Sequence, residues 1–135
     1  MLRYFVAYAA TAVAMIAIDL VWLGFIAKPL YQQGIGHLLS ERPNIPVAIV
    51  FYLLFALGLL IFAVAPNESP EHWAKALLAA GLFGFFAYAT YDLTNLATLK
   101  NWPIGLSLID MAWGTAVSIA SAAAGKAVLG LFAST

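Results

Sequence analysis

The chain has 135 residues, of which 64% are hydrophobic and 9% charged, with zero formal net charge and a mean hydropathy of +0.96. Soluble domains carry about 25% charged residues, so this composition describes an integral membrane protein, and the lack of any basic patch excludes nucleic acid as a partner. Cysteine is absent, which removes disulfides, thiolate catalysis and iron–sulfur clusters, while His37 and His72 fall in predicted loops, which argues against a haem or zinc site inside the membrane.

A span of hydrocarbon needs about 20 apolar residues, and four windows qualify, at about 4–27, 45–65, 72–99 and 103–131. The expected fold is all-α, a four-transmembrane-helix bundle forming a single transmembrane domain over 1–135. The first window exceeds a signal-peptide core and lacks a convincing cleavage region, so it should remain as a helix. It carries Asp19 and Trp22.

The connection from Tyr31 to Pro43 is polar but holds Ile35, Leu38 and Leu39 beside Gly34 and Gly36. That pattern suits either a short interfacial helix or a solvated connector. The second span is entered through Asn44, a cap candidate, and Pro46, and brings Phe51 and Tyr52. In the third, Ser69 can cap a helix with Pro70 at its first position. Ala76, Ala80 and Gly84 then recur at four-residue spacing, followed by Tyr88, Tyr91, Asp92, Asn95 and Thr98.

Pro103 suits the first turn of the fourth span, which carries two stripes of small residues. One is Ala112, Ala116, Ala120 and Ala124, read as a close-packing face. The other, Ser107, Asp110, Gly114, Ser118, Ser121 and Gly125, should face protein or water rather than lipid. Trp73 and Trp102 lie at predicted helix ends, where amphipathic rings favour the interface.

Asp19, Asp92 and Asp110 are the chemically informative residues. A carboxylate at mid-bilayer depth costs roughly 2.5–3.5 kcal/mol on insertion scales, and intramembrane charge is a functional-site hypothesis by default. With an even number of spans both termini share one side; counting inward from the other side at about 1.5 Å per residue puts Asp19 roughly 12 Å deep and Asp92 and Asp110 roughly 10 Å deep. Tyr52 reaches that level from the second span. The local patterns also match, with Trp22, Asn95 and Trp113 each three residues after an aspartate, on the same helical face. The candidate ligand- or ion-binding set is therefore Asp19, Asp92, Asp110, Asn95, Trp22, Trp113, Tyr88, Tyr91, Thr98 and Tyr52.

Asp19-Leu20-Val21-Trp22-Leu23, Asp110-Met111-Ala112-Trp113-Gly114-Thr115 and above all Tyr91-Asp92-Leu93-Thr94-Asn95-Leu96-Ala97-Thr98-Leu99 resemble the bacterial membrane-protein family DUF2177, a domain of unknown function. The resemblance covers nearly the whole chain. It implies a small polytopic protein of the bacterial inner (cytoplasmic) membrane and brings no established activity, cofactor or catalytic residue.

Three function classes follow. In the first, a one-sided polar cavity lined by the aspartates binds a small ligand or a hard cation held by Asp19, Asp92 and Asp110, and serves proton-coupled transport. In the second, the aspartates are acid/base groups of a membrane-embedded enzyme or binding protein for a lipid or isoprenoid, walled by the aromatic residues that make up 14% of the chain. The third is a structural or assembly subunit. Four helices enclose little lumen, so a transporter calls for a homodimer. Arg3, Lys75 and Lys126 on the terminal side balance Lys28, Arg42 and Lys100 on the other, which leaves orientation open under the positive-inside rule.

Overall fold

In the computed structural model, which describes residues 1–133, apolar composition and local punctuation together set the helix boundaries. Helix α1 runs over Leu2–Val21 and continues as a π-helical turn, Trp22–Ile26; a short helix α2, Lys28–Ile35, follows with Pro29 in its first turn and passes into a 3-10 turn at Gly36–Leu38. Helix α3 spans Ile45–Leu59 and continues through a second π-helical turn, Leu60–Val64. Helices α4, Trp73–Thr98, and α5, Ile104–Leu131, complete the chain. Four stretches are long and apolar enough to cross a membrane: Leu2–Ile26, Ile45–Asn67, Pro70–Thr98 and Ile104–Leu131. Their mean hydropathies are 2.1, 2.9, 1.4 and 1.4; the last two are lower because they carry most of the polar residues discussed below. The connection after α1 thus contains a real helix, and Ile35 buries its side chain with Trp102 and Leu106.

The caps divide. Asn44 accepts a hydrogen bond from the Val47 amide at 3.2 Å and starts α3. Ser69 makes no side-chain cap; Pro70 opens a 3-10 turn instead, and α4 begins only at Trp73. The link between α4 and α5 turns at Asn101, whose φ of 59° is left-handed, a conformation asparagine tolerates better than most residues. Trp102, in the link between the last two spans, is buried against the protein, and its indole donates to Ser107 Oγ at 2.9 Å.

Helix α5 is the centre of the bundle, flanked by α1 on one side and α4 on the other. Its inward face is the Ser107, Asp110, Gly114, Ser118, Ser121 and Gly125 stripe, all buried. The alanine stripe is not the packing face: Ala112, Ala116 and Ala120 are exposed to the lipid side. Glycine and serine win this position because they allow backbones to approach and because the serine hydroxyls bond their own helix, Ser118 to the Gly114 carbonyl and Ser121 to that of Val117, both at 2.6 Å. Ala76, Ala80 and Gly84 of α4 are buried, with Gly84 against Gly114 and Ser118 of α5. Thr11 of α1 meets Gly125 in the same way on the other flank.

The backbones of α3 and α4 approach each other along Leu60–Val64 and hardly at all along α3 proper, which leaves a cleft between them near the Asp92 end. Large apolar side chains such as Phe5, Val13, Leu54, Leu78 and Leu108 are exposed on all four spans and face lipid.

At the terminal side, Lys126 is only 3% exposed and, among the described residues, has no acidic partner. Its ammonium donates to the carbonyls of Asn67 and Ser69 and lies 5.2 Å from the centre of the Trp73 ring. It thereby ties α5 to the α3–α4 connection, where the Ser69 carbonyl also accepts the His72 amide at 3.0 Å. Lys126→Met keeps the stem and removes the donors, so it should destabilise the protein by about 1–3 kcal/mol and speed amide exchange selectively in residues 65–73. Unchanged exchange there would refute the tie.

Candidate functional site

Asp19 sits one turn before the π-helical turn of α1, is 5% exposed, and has both oxygens engaged. Oδ1 accepts the Trp113 indole N–H at 2.8 Å and Oδ2 accepts the Tyr52 hydroxyl. This carboxylate therefore fastens α1 to α5 and to α3. Trp22 stacks on Trp113 with ring centres 4.2 Å apart and planes within 5°, so the indole that donates to Asp19 is held flat by its neighbour.

Asp110 on α5 accepts the hydroxyl of Tyr31, which comes from α2. Burial and the adjacent Asp110 carboxylate raise the Tyr31 phenol above its ordinary value, so it remains a protonated donor at any physiological pH. Asp92 on α4 is 1% exposed and lies within hydrogen-bonding reach of Asp110, but its Oδ2 is buried without a partner. Trp22 Nε1 is the second such atom; it lies beside the Tyr31 hydroxyl without closing a hydrogen bond. Among the described residues no lysine or arginine pairs with any of the three aspartates.

Tyr88 occupies the middle of the layer, half-buried, with its ring over Gly114 and within electrostatic reach of Asp19, Asp110, Tyr52 and Tyr31. Tyr91 stands at the rim, 54% exposed, edge-on to Trp102 and close to Asp92, Asp110 and Asn95. The structure thus brings together Asp19, Asp92, Asp110, Tyr52, Tyr88, Trp22 and Trp113, with Tyr91 and Asn95 at the edge. Thr98 stands apart: it is exposed and donates to the Thr94 carbonyl of its own helix at 2.8 Å, because six residues of helix carry it beyond the layer and round to the lipid face.

Of the openings that border the cluster, one of about 350 Å³ lies against the Trp22–Trp113 stack, and two lie nearer the Asp92–Asp110 pair. One, of about 460 Å³, lies on the side of the 27–44 connection and is lined in part by Lys28, Tyr31, Gln32, Ser40 and Glu41. The other is the apolar cleft between α3 and α4, about 290 Å³, lined by Phe51, Phe55, Ala87, Tyr88 and Tyr91.

Among the described residues no three His, Cys, Asp or Glu side chains converge for a metal ion. The reason is local: Asp19 turns both oxygens to Tyr52 and Trp113, so Asp92 and Asp110 form a pair rather than part of a three-carboxylate shell. Tyr31 is the participant that sequence reasoning misses. The available signal is indirect, since a buried carboxylate without a basic partner requires hydroxyl or N–H donors, and Tyr31 is an aromatic donor in the connection that borders the layer.

A family model described as "Predicted membrane protein (DUF2177)" matches residues 4–127. No curated protein and no solved structure matches the chain.

Proposed function

Because this chain belongs to the DUF2177 family of predicted membrane proteins, whose description names no activity, we propose a function from its geometry. It is a one-sided intramembrane binding site, centred on Asp92 and Asp110 and reached from the side of the 27–44 connection, for a small ligand that presents a cation or hydrogen-bond donors. The observation that carries this reading is the buried Asp92 Oδ2 with no partner. An acceptor left unsatisfied in a buried place costs about 1–3 kcal/mol, and a ligand that donates to it removes that cost. Asp19, with both oxygens occupied, has the different task of holding α1, α3 and α5 around the pair.

Access is supported by Tyr31, which borders the polar opening and also donates to Asp110, so a ligand entering there meets the carboxylate pair by displacing or sharing one hydroxyl. Proton-coupled transport across a bacterial inner membrane is the activity such a site would serve. The layer lies in one half of the bilayer, so a through-path would need a second copy of the chain.

The test uses the full chain in lipid nanodiscs with n-butylammonium as probe. A ligand at about 100 times its Kd adds about 2.7 kcal/mol, so wild type should show a clear rise in thermal midpoint and Asp92→Asn none. Sodium at equal ionic strength should stabilise less, because only two carboxylates converge. An equal response from Asp92→Asn would overturn the site.

A further inference from the structure

We propose that the ligand is an amphiphile taken from the bilayer, with an ammonium or hydroxyl headgroup held by the Asp92–Asp110 pair and a single hydrocarbon chain lying in the cleft between α3 and α4. This rests on the binding-site reading above and adds the chemical class.

The headgroup end follows from the carboxylates. Asp92 offers one buried oxygen without a donor, Asp110 has one oxygen engaged by Tyr31, and among the described residues no basic side chain pairs with either. A carboxylate or phosphate headgroup would meet like charge there with no counter-ion, whereas a hydrogen-bond donor satisfies the free acceptor.

The chain end follows from the cleft. Its walls are Phe51 and Phe55 of α3 and Ala87, Tyr88 and Tyr91 of α4, and its volume of about 290 Å³ is at the small end of ligand pockets, about 300–1,000 Å³, which suits a linear chain. It opens to the lipid because α3 and α4 diverge, and Phe51 and Tyr91 are 43% and 54% exposed. The hydrocarbon chain can therefore slide in sideways from the lipid while the headgroup approaches from the side of the 27–44 connection.

The two ends adjoin along α4, where Tyr91 of the cleft wall directly precedes Asp92. Tyr88 and Tyr91 wall the cleft with their rings and also lie within electrostatic reach of the aspartates, Tyr88 of Asp19 and Asp110, Tyr91 of Asp110 and Asp92. Along α4 the step from Tyr88 to Asp92 is about 6 Å at about 1.5 Å per residue, and residues four apart share a face. One helix thus presents a cleft-wall ring and, about one turn later, the unsatisfied acceptor.

The experiment is a titration of the full chain in nanodiscs with 1-tetradecylamine, 1-tetradecanol and tetradecanoate, read by thermal stabilisation against empty nanodiscs, with n-butylammonium as the headgroup-only probe. The amine and alcohol should bind about tenfold or more tighter than tetradecanoate, and the amine about tenfold tighter than n-butylammonium. Ala87→Trp, which fills the cleft from a lipid-exposed position, should weaken tetradecylamine about tenfold and leave n-butylammonium unchanged; Ala87→Leu, a smaller intrusion, should give the same sign if the tryptophan variant does not fold. Should Ala87→Trp and Ala87→Leu fold and leave tetradecylamine binding intact, or tetradecanoate bind as well as the amine, the amphiphile inference is overturned while the carboxylate site stands. Failure of n-butylammonium and tetradecylamine alike would remove the site itself.

Discussion

Gly84→Ala should cost about 3 kcal/mol of stability, the upper part of the range for overpacking a well-packed core, and should abolish ligand-induced stabilisation as well. A Cβ on Gly84 would overlap Ser118 Oγ and the Gly114 carbonyl oxygen and come within 2.6 Å of Ser118 Cβ. The hydroxyl can rotate, but the carbonyl belongs to the α5 backbone, so the helices themselves must separate. Without a hydrophobic drive between helices in lipid, close packing is a main source of association, and a separation of even a few tenths of an ångström weakens contacts along the whole α4–α5 seam. The same displacement moves Asp92 and Tyr88 on α4 away from Asp110 and Gly114 on α5. Gly105→Ala is the matched control: nothing lies within 4 Å of the added carbon, and alanine favours a helix over glycine by roughly 0.5–1 kcal/mol, so that variant should be neutral or slightly more stable. Unfolding of both in detergent, followed by circular dichroism, separates the cases; equal midpoints would mean that the seam is not close-packed.

The four-span fold is legible in the sequence because bilayer thickness imposes a length on every span and because Asn44, Pro46 and Pro103 punctuate the chain where the helices change. Other features are not. Two stripes of small residues compete on α5, and the choice between them depends on how close the neighbouring backbones come, which alanine spacing alone does not encode. The π-helical turns at Trp22–Ile26 and Leu60–Val64 have no residue signature in an apolar run. Depth counting from the loops is enough to put Tyr52 at the level of Asp19, since a straight helix converts residue number into distance. It cannot show that this tyrosine and Trp113 use both Asp19 oxygens, nor that Tyr31 reaches Asp110 from outside the spans, because each depends on side-chain direction in the assembled bundle.

That division of labour among the carboxylates gives the second large effect: Asp19→Asn and Asp92→Asn should part company. In Asp19→Asn, the new amide would present one acceptor oxygen and one NH₂ group to two donors, the Tyr52 hydroxyl and the Trp113 indole. The amide oxygen can keep the Trp113 indole, but Tyr52 must then turn its hydroxyl to accept from the NH₂ group, so the hydroxyl proton loses its buried acceptor and the charge-assisted character of both bonds is lost. The expected loss is about 1–3 kcal/mol, with α1 and α3 loosened against α5 and the Trp22–Trp113 stack disturbed. At Asp92 the exchange removes an oxygen that has no partner, and the new amide can donate to Asp110 beside it. Stability should therefore hold or rise, and removal of an intramembrane charge eases insertion, while stabilisation by n-butylammonium disappears. Thermal midpoints of the two variants, each with and without that probe, decide the matter. If Asp92→Asn loses as much stability as Asp19→Asn with no probe present, Asp92 is fastening helices in the manner of Asp19, and the argument that its free oxygen awaits a ligand fails.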